Sequence, residues 1–257
     1  MELLKDYPYL YETHLHCKES SACAVSTAVE MVRAAKKTGY SGIFLTNHNW
    51  NGNTCVDRSL PWTEWVHEFC KPYHLAKEEG DRIGLQVFYG YEAGHDATEF
   101  LIYGVDEEWL CSHPEIKDAT VMEQYKLIHD AGGMVIHAHP FREEYYIPEI
   151  RLFPEYVDGV EAMNATHSSH LSKSHNQPVF DERAIAYAKE HHFPMTAGSD
   201  VHSTQMFGGG VAFKTPITSV KDYQNRILSK EGYVLSDGEY WYDSGAKRIA
   251  PLIGIDE

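Results

Sequence analysis

Short apolar segments alternate with amphipathic helices along the chain, and this alternation constrains the fold more than any other feature. The first helix is predicted over residues 26–38, where Thr27 and Glu30 have the spacing of a capping box and Gly39 ends the helix. The apolar run at 42–46 follows directly and predicts a buried strand. Further strands are predicted at 85–89, 100–103, 134–136, 157–162 and 194–197, and helices at 120–130, 181–191 and 219–229. Repeated units of this kind predict a parallel sheet, and their number favours a closed or nearly closed α/β barrel.

The chain is predicted to form a single domain over residues 1–257. It contains no internal repeat, low-complexity tract or long linker, and its 43% hydrophobic content is enough to bury one core. The region around 50–80 is the least regular and the most aromatic. It is either an insertion folded over one end of the barrel or an ordinary helical segment.

The charge balance limits the classes of partner. The 38 acidic residues outnumber the 22 basic ones, giving a formal charge of −16, and no basic cluster offsets it. Such a surface disfavours duplex nucleic acid and anionic membranes, and therefore favours a small substrate. The N-terminus lacks the pattern of a signal peptide, no apolar run has the length of a membrane span, and the 5 scattered cysteines are typical of free thiols. We therefore expect a cytoplasmic protein; its oligomeric state is not predicted.

Residues of the metal-ligand type follow the predicted strands. A His-x-His pair follows residues 9–13, His48 follows the strand at 42–46, and Glu92 follows the strand that begins at 85. Because parallel strands of a barrel end at one rim, these side chains should converge in space. Histidine and carboxylate groups together are typical ligands of divalent metals. The predicted metal ligands are His14, His16, His48, Glu92, His139, Asp200 and His202.

The ordered motifs resemble those of the PHP family, named for polymerase and histidinol phosphatase. They are His14-Leu15-His16, Thr46-Asn47-His48, Gly90-Tyr91-Glu92, His139-Pro140 and Gly198-Ser199-Asp200-Val201-His202. The resemblance spans residues 12–202 and implies a distorted, TIM-like (β/α)7 barrel with its metal site at the C-terminal strand ends. It also implies two or three divalent metal ions, usually zinc, iron or manganese, and hydrolysis of phosphate esters.

The same resemblance implies a role for each ligand. His14, His16 and Asp200 would hold one metal. Glu92 would bridge this metal to a second one that His139 also binds. His48 and His202 match ligands of a third metal in trinuclear members.

The chain departs from the family pattern at three places, which leaves parts of the metal site open. Ser21 and Ala22 stand where the family commonly has Asp or His, and Asn47 stands where Asp is usual, so binding of a third metal is left open. The family often has a histidine in the strand after the bridging Glu. The candidates to replace it are Glu99, His95 and His137.

Candidate catalytic residues come from the same rim. Arg142 follows Pro140 by two residues and is a candidate to bind phosphate oxygens with its forked guanidinium, unless it pairs with Glu143 or Glu144. His48 or His202, if not bound to a third metal, would protonate the leaving alcohol. The loop that contains residues 167–170 is expected to be exposed.

The sequence thus favours a metal-dependent phosphoesterase that hydrolyses a phosphorylated metabolite or nucleotide by a metal-activated hydroxide. One alternative is an amidohydrolase-type metal hydrolase, which also begins with His-x-His and uses a late Asp. The other is a degenerate barrel that retains a structural metal and has no activity.

Overall fold

The structure of the protein is a computed structural model that describes residues 4–252. It is a mixed α/β fold with one curled sheet, in which the strands follow the order β11-β10-β9-β8-β1-β2-β3-β4-β5-β6-β7. The strands are β1 (Tyr9–Leu15), β2 (Gly42–Leu45), β3 (Gln86–His95), β4 (Thr98–Tyr103), β5 (Met134–His137), β6 (Gly159–Asn164), β7 (Met195–Gly198), β8 (Gly209–Phe213), β9 (Tyr233–Asp237), β10 (Tyr240–Asp243) and β11 (Arg248–Pro251).

All four predicted helices are present, with bounds shifted by at most two residues. The first has the predicted capping box between Thr27 and Glu30, and it ends at Gly39 with a φ of 104°. The helices in the described part of the chain are α1 (Ala28–Thr38), α2 (Trp62–Ile83), α3 (Glu107–Ser112), α4 (Val121–Asp130), α5 (Ala165–Ser168), α6 (Val179–Glu190) and α7 (Val220–Leu228).

The prediction of a wholly parallel sheet is wrong. Strands β1, β2 and β3 are parallel, as are β5, β6 and β7, but β4 runs antiparallel to both of its neighbours. Asp96 and Ala97, both with positive φ, form a two-residue turn that returns the chain directly from β3 to β4. Such a turn leaves no room for a crossover helix. The mixed α/β class is confirmed, whereas the regular (β/α)7 repeat is not.

The curl of the sheet brings distant strands together. The Thr13 hydroxyl on β1 donates a 2.7 Å hydrogen bond to the carbonyl of Ala197 on β7. Just beyond these strands, Leu15 and Val201 form a parallel bridge. The C-terminal ends of β1 and β7 therefore lie side by side, although five strands separate them in the order of the sheet.

The aromatic region around 50–80 consists of a loop followed by α2, which packs against α1 and β3. Trp50 and Trp65 are buried and lie in edge-to-face contact, with ring centroids 5.8 Å apart. The region therefore shares a core with the sheet, and the prediction of one domain over 1–257 stays a prediction. No helix within residues 4–252 combines the length and the apolar content that a membrane crossing needs.

Candidate metal centre

The structure brings all seven predicted metal ligands to one rim of the sheet. His14 lies near the end of β1, His48 follows β2, His139 follows β5, and Asp200 and His202 follow β7. Glu92 differs from the prediction because it lies inside β3, which continues to His95 rather than ending before the carboxylate. The convergence rests on the parallel strands β1–β2–β3 and β5–β6–β7, whose C-terminal ends face the same side.

Glu92 is the centre of this cluster. Its Oε1 atom lies 3.2 Å from His14 Nε2 and 3.1 Å from His139 Nε2. Its Oε2 atom lies 2.8 Å from His48 Nδ1 and 3.4 Å from His16 Nε2. The two carboxylate oxygens of Glu92 therefore contact four imidazoles at once.

Four groups of side chains in the cluster have ligand atoms that all lie within 4.8 Å of one another. His14, His16, His48 and Glu92 each belong to two of these groups, so the groups are contiguous. They are His14/His16/Glu92, His14/His139/Asp200, His48/Glu92/Glu99 and His16/His48/His202.

Unsatisfied buried atoms test whether these residues fit metal ions. His14 Nε2, His16 Nε2, His48 Nδ1 and Glu92 Oε2 are buried and have no hydrogen-bond partner among the described residues. Unpaired polar atoms are rare in protein interiors because each one forfeits its hydration. Four such atoms in one cluster, all of the nitrogen or oxygen type that divalent cations prefer, fit a metal centre.

Two carboxylates of the cluster, those of Glu92 and Asp200, are held in their charged form. Burial alone would raise the pKa of Glu92, but His14 and His48 bring it well below its ordinary value. Burial likewise opposes ionisation of Asp200, whereas His14 and the Arg142 guanidinium hold the pKa of Asp200 well below its usual range. The ionised carboxylate is the form that binds a cation.

Glu161 holds two of the predicted metal ligands, His14 and His139, in place by hydrogen bonds. Its Oε1 lies 2.8 Å from His14 Nδ1, and its Oε2 accepts hydrogen bonds from the backbone N–H of His139 at 3.2 Å and from Asn164 Nδ2 at 3.0 Å. A carboxylate bound to Nδ1 keeps a proton on that nitrogen, which leaves Nε2 of His14 as the nitrogen that a metal ion would bind.

Two of the departures from the family pattern support His16 in the same way. Ser21 Oγ lies 3.2 Å from His16 Nδ1 and donates a 3.0 Å hydrogen bond to Asn47 Oδ1. Asn47 Oδ1 also accepts from the backbone N–H of Cys17. Because the serine proton is directed to Asn47, the imidazole donates to Ser21, and its free Nε2 faces the metal centre.

Of the three candidates for the missing metal ligand, Glu99 is the one that lies in the cluster. Its carboxylate oxygens lie 3.5 Å from His48 Nδ1 and 3.5 Å from His139 Nε2. His95 instead faces Gln124, at 3.1 Å. His137 stacks on Phe100 in the core, where burial lowers the pKa of His137 to about 3.

Arg142 is buried and is held by three groups. Its Nη2 lies 2.7 Å from Asp200 Oδ2 and donates to Thr166 Oγ1 at 3.1 Å, and its Nε donates to His167 Nε2 at 3.0 Å. The alternative that Arg142 pairs with an adjacent glutamate is wrong. Glu143 and Glu144 turn away from it and pair with Arg183 and His175.

The expectation of an exposed loop at 167–170 is wrong for His167, which is 1% exposed. This residue lies on α5, and its Nδ1 is 2.7 Å from Asp181 Oδ1 on α6. The resulting chain Asp181–His167–Arg142 ends at Asp200, a predicted metal ligand. Sequence reasoning missed Asp181 because only the packing of α5 against α6 brings it there.

A cavity of about 620 Å³ opens onto the cluster. Glu92, Glu99, Arg142 and His202 line this cavity, and so does Tyr145, which is 97% exposed. The cavity gives the ligand cluster direct access to solvent.

Cys23 also lines this cavity and was missed by the sequence analysis. Burial alone would raise the pKa of its thiol, but hydrogen bonds with His202 and His48 lower it to about 7. Nothing in the spacing of the cysteines indicates this contact, since it depends on the loop between β1 and α1.

Comparisons with known proteins are consistent with this geometry. A family model described as PHP-associated matches residues 180–230. A two-domain protein of Bacteroides vulgatus that contains a predicted PHP-like metal-dependent phosphoesterase is similar in structure, with a TM-score of 0.65 and 15% identity over 91% of this chain. This chain spans 66% of the length of that protein.

Two further structures share the fold. One is a candidate metal-dependent phosphoesterase of Bifidobacterium adolescentis, with a TM-score of 0.50, 17% identity, and coverage of 76% of this chain and 88% of the other. The second is an amidohydrolase of Chromobacterium violaceum with bound sulfate and no metal, with a TM-score of 0.51, 15% identity, and coverage of 75% and 87%. No curated protein sequence matches the chain. These comparisons show similarity to a PHP-associated family model over residues 180–230 and a fold shared with PHP-like proteins over most of the chain.

Proposed function

We propose that this protein is a metal-dependent phosphoesterase that hydrolyses a small phosphate ester, either a phosphorylated metabolite or a nucleotide. The observation that carries the proposal is the position of Glu92, whose two oxygens face four imidazoles at the floor of an open cavity. The shared fold and the PHP-associated match support the same activity.

Each residue of the cluster has a proposed role in holding two or three divalent ions, zinc, iron or manganese. His14, His16 and Asp200 would hold one ion, Glu92 would bridge it to a second, and His139 and Glu99 would complete that second site. His48 and His202 are the proposed ligands of a third ion. Bound ions of this kind activate water and neutralise phosphate charge.

Arg142 is proposed to bind the phosphate group. It lines the cavity, and its guanidinium is oriented by His167 and Thr166 before any substrate arrives. Because Nε and Nη2 of Arg142 contact His167, Thr166 and Asp200, Nη1 is the nitrogen left to donate to phosphate oxygens. His202, which is partly exposed to the cavity, and His48 are proposed to protonate the leaving alcohol when no third ion occupies their group.

The size and charge of the protein favour a small substrate. A cavity of about 620 Å³ accommodates a molecule of metabolite size, and the formal charge of −16 repels polyanions outside the metal centre. We therefore propose a small phosphorylated substrate and no binding of duplex nucleic acid or membranes. The five unpaired cysteines support a cytoplasmic location.

The amidohydrolase alternative is less well supported. Such sites commonly use a carbamylated lysine as a bridging ligand. Among the described residues that line the cavity none is a lysine, and the bridging ligand that we propose is Glu92. The inactive alternative predicts metal binding without hydrolysis, so measured turnover separates it from our proposal.

Hydrolysis of a chromogenic phosphate monoester by the metal-replete protein tests the proposal. We expect Asp200→Asn to reduce phosphate release by more than the roughly 10- to 100-fold loss that is typical when a group supporting a metal ligand is changed. The control is Asp130→Asn, a change of an exposed carboxylate at the end of α4. Phosphate release that does not depend on Asp200, or none from metal-replete protein, would refute the proposal.

A further inference from the structure

The aromatic region around 50–80 forms a second cavity, of about 280 Å³, which has no part in the proposed hydrolysis. Trp50, Trp62 and Trp65 make its aromatic wall. The rings of Trp62 and Trp65 are nearly parallel, at an angle of 7°, with centroids 5.9 Å apart, and Trp50 meets both of them edge to face. The volume lies near the lower end of the range for small-molecule sites, about 300 Å³, so the cavity suits a small ligand.

The wall is held in place before any ligand arrives. Trp50 Nε1 donates a 3.1 Å hydrogen bond to the carbonyl of Lys117, and Trp62 Nε1 donates a 2.7 Å hydrogen bond to the carbonyl of Leu110. Trp50 and Trp65 are buried, whereas Trp62 is only partly buried. A flat apolar group can therefore reach a rigid aromatic surface without rearrangement of the core.

The polar side of this cavity is positive. Arg58 and Lys117 line it and are exposed, and no aspartate or glutamate is among its described lining residues. Arg58 donates from Nε and Nη2 to the carbonyls of Trp50 and Gly52, which leaves its Nη1 without a partner among the described residues. Helix α2 begins at Trp62 with no side-chain cap, so the positive end of its dipole lies at the same wall. In a chain of formal charge −16, a cavity with two cations and no carboxylate indicates an anionic ligand.

This cavity adjoins the one that opens onto the metal centre. Asn51 lines both cavities, and its Nδ2 donates to the carbonyl of Lys117 at 3.1 Å. Gly52, whose carbonyl accepts from Arg58 at 2.7 Å, lines the metal-centre cavity. The two cavities therefore share a wall, although their lining residues differ in chemical character.

We propose that the tryptophan-lined cavity is a binding site for a small planar aromatic anion. The rings of the ligand lie against the tryptophans, and its carboxylate or other anionic group accepts hydrogen bonds from Arg58 and Lys117. Aromatic contacts and hydrogen bonds between charged groups reinforce each other in such a site. The inference goes beyond the proposed hydrolysis and does not depend on it.

Calorimetric titration of the full chain with 2-naphthoate tests the proposal. The comparison ligand is 2-naphthamide, which has the same rings and no charge. We expect saturable binding of one naphthoate per chain and binding of the amide that is roughly fivefold weaker or more, because hydrogen bonds to charged groups are stronger than neutral ones. Equal affinities, or no saturable binding of naphthoate, would overturn the inference.

Two variants locate the bound naphthoate. Lys117→Gln removes one cation but keeps the backbone carbonyl that Trp50 and Asn51 bind, and Trp62→Leu removes part of the aromatic wall. We expect both to weaken binding, with Lys117→Gln decisive if the melting temperature shows that Trp62→Leu is unfolded. The matched control is Lys126→Gln, a change of an exposed lysine on α4, and it should bind naphthoate as the wild type does.

Asp200→Asn distinguishes this cavity from the metal centre and should also leave naphthoate binding unchanged. Loss of binding in Asp200→Asn would place the naphthoate at the metal centre and overturn the inference, as would wild-type affinity in Lys117→Gln. Neither result bears on phosphate release by the wild-type protein, so the proposed function would stand or fall separately.

Discussion

Replacement of Glu161 by glutamine tests how the protein prepares its metal ligands. The Glu161 carboxylate accepts from three donors, namely His14 Nδ1, the backbone N–H of His139 and Asn164 Nδ2. A glutamine amide has only one oxygen, so its NH₂ group must face at least one of these donors. The conflict at His14 is relieved only if the ring changes tautomer, which moves the proton to Nε2. That nitrogen faces Glu92 and would then no longer bind a metal.

The size of the effect follows from these contacts. Loss of a group that supports a metal ligand typically costs 10- to 100-fold in metal affinity, which is about 1.4–2.7 kcal/mol. In the metal-free protein, a buried donor placed against another donor costs about 1–3 kcal/mol of unfolding free energy. Glu161→Gln should therefore weaken metal binding and lower the melting temperature of the metal-free protein.

Competition against a metal-binding dye measures the affinity, and thermal unfolding of the metal-free protein measures the stability. Glu155→Gln, which changes an exposed carboxylate ahead of β6, is the control and should leave both quantities unchanged. Wild-type metal affinity in a folded Glu161→Gln protein would refute the argument that this carboxylate sets the tautomer of His14.

Three further changes test other parts of the structure. Gly198→Ala would place a Cβ atom 2.5 Å from the Cβ of His14, so we expect weaker metal binding by titration, and unchanged affinity would contradict this packing. Arg142→Lys removes the guanidinium, and we expect inhibition by inorganic phosphate to weaken roughly tenfold or more; an unchanged inhibition constant would exclude phosphate binding by Arg142. Hydrogen bonds from Arg82 and Arg33 lower the pKa of Glu79 to about 2. The ionised carboxylate with these arginines therefore stabilises the fold above pH 4.5, and this contribution to stability is lost as the pH falls towards 2. The melting temperature of Glu79→Gln should be lower than that of the wild type at pH 7, and a difference that does not narrow below pH 4.5 would contradict this assignment.

The sequence predicted the site better than it predicted the sheet, for a physical reason. Polar residues that follow apolar strands converge whenever the strands are parallel, so His14, His48 and Asp200 were placed together without knowledge of the intervening chain. The reversal between β3 and β4 was not predicted because its turn, Asp96-Ala97, contains no glycine, although both residues adopt positive φ. The ligand side chains still converge because the parallel strands on one side of β4 run in the same direction as those on the other side.

Contacts made across loops and helices had no signal in the sequence. Asp181 and His167 are 14 residues apart and meet only because α5 and α6 pack together. Cys23 reaches His202 because the loop after β1 is hydrogen-bonded to the segment after β7. Such contacts depend on tertiary packing rather than on local spacing, so they become visible only when the strands and helices are in place.

The most direct test of the central claim is the metal content of the wild-type protein and of Glu92→Gln after equilibration with manganese or zinc and removal of free ion. Glu92 touches all four surrounding imidazoles with its two oxygens, so it should be shared by two ions. We predict at least two bound ions per wild-type chain and a lower number in Glu92→Gln, with both proteins folded. Fewer than two ions in the wild type, or the same content in the variant, would contradict the assignment of Glu92 as the bridge of a metal centre.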